Sequence, residues 1–275
     1  MAVLAAGLYA LNTPVSKLLL LSVPSVMMAA FLYLGAGLGI LGVKTIKKSS
    51  NEEPLQKKDL PYVIGMVLLD IAAPICMMTG LKTASAANAA LLNNFEIAAT
   101  AVIALVIFKE KISKKLWAAI ILVTIACMML SIQDAGSLQF SSGSLFVLAA
   151  CVCWGLENNC TRMISERDPL EIVIIKGLCS GTGSLIIALS VGEKLPDLTS
   201  IVLVLLLGFV SYGLSIYYYI SAQRYLGAAR TSTYYAVAPF IGAILSLVIF
   251  QQIPSSTFLI ASVIMAIGTW LASDE

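Results

Sequence analysis

The chain is divided into ten apolar runs, each long enough to cross a bilayer as a helix. They span roughly residues 2–20, 24–43, 61–81, 84–108, 115–132, 144–163, 170–191, 198–222, 228–250 and 254–272. A membrane helix needs about 20 residues, and its backbone polar groups must satisfy one another where water is absent. Ten such helices take up about 200 residues, which fills most of a chain of 275. No soluble catalytic domain fits in the remainder. Charged residues make up only 12% of the sequence and hydrophobic ones 59%. A soluble domain carries about 25% charge, so an ordinary globule is excluded, and so is a disordered chain. The expected fold is all-α and integral to the membrane, with ten transmembrane helices.

Punctuation supports these boundaries. Pro24, Pro61, Pro169, Pro196 and Pro254 lie at or near run starts, where a missing N–H costs nothing. Short connections make sequential helices antiparallel neighbours. The longest polar stretch, 44–59, reads as a solvated loop. Lys17 lies near the end of the first run rather than before it, which does not fit a cleavable signal peptide.

Basic residues collect at alternate helix ends. The loop after the second run holds Lys44, Lys47, Lys48, Lys57 and Lys58, and the loop after the fourth holds Lys109, Lys111, Lys114 and Lys115. Arg162 and Arg167 follow the sixth run, and Arg224 and Arg230 follow the eighth. The opposite ends hold only Lys17, Lys82 and Lys194, while Lys176 lies within a run. By the positive-inside rule both termini are expected in the cytoplasm, which requires an even number of spans.

The sequence also repeats. Residues 101–108 (Ala-Val-Ile-Ala-Leu-Val-Ile-Phe) match residues 243–250 (Ala-Ile-Leu-Ser-Leu-Val-Ile-Phe), an offset of 142. At the same offset Lys82 meets Arg224, and Ala86 and Ala87 meet Ala228 and Ala229. An offset of 145 pairs Tyr9 with Trp154, Lys17 with Arg162 and Pro24 with Pro169. Two five-helix units are therefore expected, residues 1–135 and 136–275. An odd number of helices per unit makes the second copy inverted in the membrane, a construction common among secondary transporters.

Two such repeats, with the segment 108–113 (Phe-Lys-Glu-Lys-Ile-Ser) leading into the fifth helix, resemble the EamA-type family of the drug/metabolite transporter superfamily. The Asn94-Phe95-Glu96 start of an Ala-rich stretch, closing on Glu110, is similar too. So is its counterpart, where Pro239 opens the stretch ending at Phe250. The resemblance covers essentially the whole chain. It departs at Gln252, where the second repeat often carries an acid, and at Tyr9, where the first helix often carries Trp. It implies a non-enzymatic secondary transporter of a small metabolite such as an amino acid, more often an exporter, in the cell (inner) membrane. Other readings are an uptake or exchange carrier for a nucleoside-like or cofactor metabolite, a membrane-embedded lipid-handling protein or enzyme, and a passive channel.

Ionisable residues inside a bilayer are costly and usually mark a functional cavity. Four stand out: Asp70, Glu96, Glu157 and Lys176. Glu171 lies too near a helix end to count with them. Glu96 and Asp70 fall near mid-depth, and low-dielectric surroundings favour a neutral carboxylate. Glu96 is thus a candidate proton carrier, with Asp70 as a second acid; the alternative is a structural role. Asn93 and Asn94 precede Glu96, and residues 93 and 96 share a face of a continuous helix. Glu157 and Lys176 lie on consecutive helices, each six or seven residues from their shared turn. At about 1.5 Å per residue both are about 10 Å deep, so they are expected to pair, and removing both charges should be milder than removing one. The pair is either fixed or opens for a zwitterionic substrate.

Polar and aromatic residues at similar depth complete a substrate-binding set: Asn12, Asn93, Asn94, Trp154, Asn158, Tyr212, Tyr234 and Tyr235, with Thr13 and Ser16 nearby. Tyr217, Tyr218 and Tyr219 are expected in an interfacial belt.

Other chemistries find no support. The net charge of +2 suggests no nucleic-acid partner. His is absent, which removes the commonest general base and metal ligand. The six cysteines form no Cys-x-x-Cys pair and are expected to be buried and free. Residues 37–42 (Gly-Leu-Gly-Ile-Leu-Gly) match a dinucleotide pattern inside an apolar helix with no preceding strand, so Gly35 and Gly39 are read as packing positions. There is no phosphate loop, no metal-ligand spacing and no nucleophile–base set. No cofactor is expected.

Overall fold

The structure is a computed structural model and describes residues 1–46, 53–109, 113–134, 139–226 and 234–273. Lys47, Lys48, Glu110, Lys111, Ile112 and residues 228–230, which enter the charge, repeat and resemblance arguments, lie outside the described residues. The helices are α1 (Ala2–Ala10), α2 (Asn12–Leu19), α3 (Ser25–Ile46), α4 (Leu60–Thr83), α5 (Ala86–Leu92), α6 (Phe95–Phe108) and α7 (Lys114–Ser131). They continue with α8 (Ser142–Arg162), α9 (Pro169–Ser190), α10 (Leu198–Gly208), α11 (Ser215–Leu226), α12 (Ala238–Ile249) and α13 (Ser256–Ser273). A short antiparallel ribbon, β1 (Ile132–Asp134) with β2 (Gln139–Phe140), joins α7 to α8.

Among the described residues, seven helices, some built from two of these segments, are long and apolar enough to cross a membrane. The α8 helix is not among them, although it is 21 residues long. Its Glu157, Asn158 and Asn159 lower its apolar character. Helix α12, and α13 over Ser256–Ala272, are apolar but shorter.

Helix starts follow from capping side chains. The hydroxyls of Ser85, Ser113 and Ser141 accept from the N–H groups of Asn88, Leu116 and Ser144. Asp168 and Asp197 accept likewise from Leu170 and Ser200, each at 2.9 Å. Such caps satisfy N–H groups that the helix itself leaves open. The Ser200 N–H holds the exposed Asp197 carboxyl below the usual carboxylate range. Glu193, from the loop after α9, accepts from Val26 N–H at 3.2 Å and Met27 N–H at 2.8 Å. It thereby caps α3 from the other half of the chain.

Among the described residues, four of the runs expected as continuous helices are interrupted, the ninth (228–250) by a turn at 236–237. The first run breaks at Leu11, between α1 and α2. Pro14 has no N–H for the Ala10 carbonyl, which loosens that turn. The run 84–108 breaks at Asn93 and Asn94. There Asn94 Nδ2 donates to the Leu91 carbonyl at 3.0 Å, a side-chain bond that competes with the helical ladder. The run 198–222 continues to Leu226, and Phe209–Leu214 forms a π-helical turn within it.

Helix α3 packs along α9, α4 along α8, and α7 along α13. The α3–α9 crossing depends on Gly37 and Gly177. A Cβ on Gly37 would lie 2.7 Å from Leu178 N, and one on Gly177 would lie 2.8 Å from Tyr33 O. The backbones touch, as small residues allow in membrane bundles. Gly37→Leu is therefore expected to cost about 1–3 kcal/mol or more, seen as a lower melting temperature in detergent. Gly42→Leu is the control, because nothing lies within 4 Å of its added Cβ. Equal melting of the two variants would contradict the close crossing.

The cysteines depart from expectation. All six are free, but only Cys127 and Cys151 are buried; Cys179 is exposed. An apolar run in a membrane helix has a face for lipid as well as one for protein.

Candidate functional site

The four ionisable residues singled out above do not form one group. Three converge: Asp70 from α4, Glu157 from α8 and Lys176 from α9. Lys176 Nζ lies 2.9 Å from Glu157 Oε1 and 3.4 Å from Asp70 Oδ2. Asp70 is fully buried and Glu157 2% exposed, so the desolvated carboxylates depend on this ammonium. Tyr33 OH, from the middle of α3, donates to Asp70 Oδ1 at 2.7 Å. Thr161 Oγ1, one turn along α8, donates to Glu157 Oε1. Trp154 Nε1 donates to Tyr33 OH at 3.4 Å. The expected pair is thus a triad of two carboxylates and one ammonium. Removing Glu157 and Lys176 together would leave Asp70 without a cation, so the expectation for a two-member pair does not carry over.

Glu96 makes no ion pair with Lys176, although Lys176 and Glu157 are its electrostatic neighbours. It lies in the first turn of α6, just past the break, and the Asn93 carbonyl accepts its N–H at 3.1 Å. The break is a tightened turn with Asn93 and Asn94 still in right-handed helical conformation, and in such a turn positions three apart lie on one side. Asn158 Nδ2 donates to Glu96 Oε1 at 2.6 Å. Among the described residues no cation lies within ion-pair distance of Glu96. The carboxylate is an electrostatic neighbour of Tyr9, Tyr212 and Tyr235.

Those tyrosines form an aromatic chain. Ring centroids are 6.0 Å apart for Tyr9–Tyr212, 5.8 Å for Tyr9–Tyr235 and 5.2 Å for Tyr33–Tyr212. Tyr219 lies 4.8 Å from Tyr235, so it joins this chain rather than standing only in a surface belt. Asn12 Nδ2 donates to Tyr212 OH at 3.2 Å, and Ser16 Oγ donates to Asn12 Oδ1 at 3.0 Å. Tyr235 OH shares a hydrogen bond of 3.3 Å with Ser215 Oγ. A crevice of about 10 Å³, room for about one water molecule, adjoins, lined by Tyr9, Thr13, Asn93 and Pro239 among others.

Other expected residues lie elsewhere. Asn94 is buried, its side chain taken up by the Leu91 carbonyl and by Thr269 Oγ1, which donates at 3.3 Å. Tyr234 is 48% exposed. Glu171, set aside as too near a helix end, pairs there with Lys44 at 3.1 Å. Lys44 also pairs with Asp168 at 3.0 Å, and Arg167 with Asp59 at 2.9 Å and with Glu53. Lys17 Nζ donates to the carbonyls of Leu81, Lys82 and Ala84 at the end of α4.

Sequence reasoning missed Tyr33, Thr161 and Asn159. Asn159 Nδ2 donates to the carbonyls of Thr100 and Gly155, joining α8 to α6. A lone tyrosine in the middle of the run 24–43 was the available signal for Tyr33, because its hydroxyl needs a partner in a dry interior.

Comparison with known proteins follows the same line. The EamA-like transporter family matches residues 1–132 and 141–274. An "Uncharacterized transporter" of Methanothermobacter thermautotrophicus is 22% identical over 284 residues, covering 96% of this chain and 82% of its own. The "Uncharacterized transporter YyaM" of Bacillus subtilis is 25% identical over 239 residues, covering 83% of this chain and 76% of its own. A solved structure titled "Crystal structure of protein" superposes with a TM-score of 0.70 at 16% identity, covering 98% of this chain and 94% of that one. That likeness shows a shared fold.

Proposed function

This chain belongs to the EamA-like transporter family, and on that premise we propose that it is a proton-coupled secondary transporter that exports a small metabolite by alternating access. It is a multi-pass membrane protein; the proposal adds ten spans in two inverted units, residues 1–135 and 136–275. Packing supports the inversion. Numbering the spans by run, the second packs on the seventh and the fifth on the tenth, each on its own counterpart. The third packs on the sixth, as the eighth packs on the first, and the fourth packs on the ninth. The helix breaks also correspond. The fourth span breaks at 93–94, and the chain turns at 236–237 in the ninth. Discontinuous helices at a repeat interface are where transporters of this design hold substrate and coupling ion.

One observation carries the functional reading: ionisable groups on one half are held by side chains of the other. Asp70 of the first unit pairs with Lys176 of the second, which also holds Glu157, and Glu96 of the first accepts from the Asn158 amide of the second. A site shared by two bodies changes as they move against each other. Glu96, held by an amide rather than a cation, is the proposed proton carrier. Asp70, engaged by Lys176 and Tyr33, belongs to the gate made by the Glu157–Lys176 pair. Asn12, Asn93, Trp154, Asn158, Tyr212 and Tyr235 surround the substrate path. An untargeted comparison of metabolites inside and outside cells, with and without the protein, tests the reading. A redistributed small solute is expected, and none with correctly inserted protein would contradict transport.

Orientation is proposed from the basic residues, with both termini in the cytoplasm of a cell whose inner membrane holds the protein. In a background lacking native cysteines, Lys194→Cys is expected to react with an impermeant thiol reagent in intact cells. Lys57→Cys should react only after permeabilisation. The reverse pattern would overturn the orientation.

A further inference from the structure

Resting on the transport reading and the orientation above, we propose that two latches related by the inverted repeat hold the two ends of the molecule shut. Each must open for the carrier to face the side it guards. The segment after α3 clasps the start of α9, and the segment after α9 clasps the start of α3. These are corresponding elements, because Pro24, just before α3, meets Pro169, the first residue of α9, at the offset of 145.

The cytoplasmic latch is built of ion pairs. Lys44 Nζ lies 3.0 Å from Asp168 Oδ2 and 3.1 Å from Glu171 Oε1. Glu171 Oε2 accepts from Leu55 N–H at 3.1 Å, and the Glu53 carbonyl accepts from Asp168 N–H at 2.9 Å. Arg167 pairs with Asp59 Oδ2 at 2.9 Å and with Glu53. Arg167, Asp59 and Asp168 are buried, so their charges are poorly tolerated apart. The outer latch is the Glu193 carboxylate on the N–H groups of Val26 and Met27, with Ser22 Oγ and Ser200 Oγ 3.3 Å apart beside it. Every one of these contacts joins a residue of the first unit to one of the second. Between the latches, Gly37 and Gly177 bring the backbones of α3 and α9 together near the middle of both helices. Rocking about that crossing opens one end as it closes the other. Both latches are engaged here, the arrangement of a carrier shut on both sides.

Spin-label distances in the full chain, freed of native cysteines and held in lipid nanodiscs, test the latches. Lys57→Cys with Ser165→Cys spans the cytoplasmic latch, and Leu21→Cys with Leu195→Cys spans the outer one; all four positions are exposed. Glu193→Ala removes two charge-assisted hydrogen bonds. It is expected to raise the ratio of long to short distances at the outer pair about tenfold, and to deplete the long distances at the cytoplasmic pair. Arg167→Gln joined to Asp59→Asn, which leaves neither member as a lone buried charge, should do the reverse. A contact that merely stabilised its own end would leave the far end unchanged. Lengthening confined to the altered end, or native distributions at both ends, would overturn the proposal. Either variant decides the matter if the other folds poorly. Solute redistribution in cells is read separately, so a failure of the latches is distinguishable from a failure of the transport reading.

Discussion

Lys176→Met is expected to reduce the yield of folded protein to a small fraction of the native level. The substitution keeps an unbranched apolar side chain but leaves Asp70 and Glu157, both buried, without their shared cation. Breaking a buried pair by removing one partner costs about 3–5 kcal/mol. That is a large share of the roughly 5–15 kcal/mol that keeps a domain folded. Glu157→Gln alone should be mild, because Lys176 retains Asp70. Joining Glu157→Gln to Lys176→Met should restore only part of the yield, since Asp70 is still ionisable and buried. Adding Asp70→Asn to both should restore most of it. Size-exclusion yield and melting temperature in detergent report all four proteins. Full recovery in the double variant would mean that Asp70 does not depend on Lys176, and native melting of Lys176→Met would contradict the triad.

This series shows where sequence reasoning reached and where it stopped. Glu157 and Lys176 lie on consecutive helices joined by one turn, so counting residues from that turn gave their depths. Asp70 joins them because α4 packs against α8 and α9, and no local spacing encodes which non-sequential helices meet. The apolar runs themselves were legible, because the bilayer imposes a length and a hydropathy that single residues rarely disturb. Their interruptions were less so. The break at 93–94 turns on one side chain, Asn94, reaching the Leu91 carbonyl, and an asparagine mid-run can equally well face a neighbouring helix. The partnership of Asn158 with Glu96 was hidden for the same reason as that of Asp70. It crosses from α8 to α6, whose contact depends on Gly155: a Cβ there would lie 2.8 Å from Thr100 N. Tyr33 was overlooked because a tyrosine reads as apolar until its hydroxyl is given a partner.

Glu96→Gln is expected to fold and to lose gradient-driven accumulation. The amide has the size of the carboxylate, and its oxygen accepts from Asn158 as Oε1 does now. With no cation paired to Glu96 among the described residues, the neutral side chain strands no buried charge. Its folding cost should therefore be far below that of Lys176→Met. What it cannot do is bind and release a proton as the site turns from one side of the membrane to the other. Exchange of labelled solute at equal pH can survive, because it needs no net proton movement.

The most direct test is solute uptake into proteoliposomes under an imposed pH gradient, using the solute identified by metabolite comparison. The native protein should accumulate it above the equilibrium level, with the internal excess collapsing when the gradient is dissipated. Glu96→Gln should only equilibrate it. Undiminished gradient-driven accumulation by Glu96→Gln would remove Glu96 from coupling and return it to a structural role between α6 and α8.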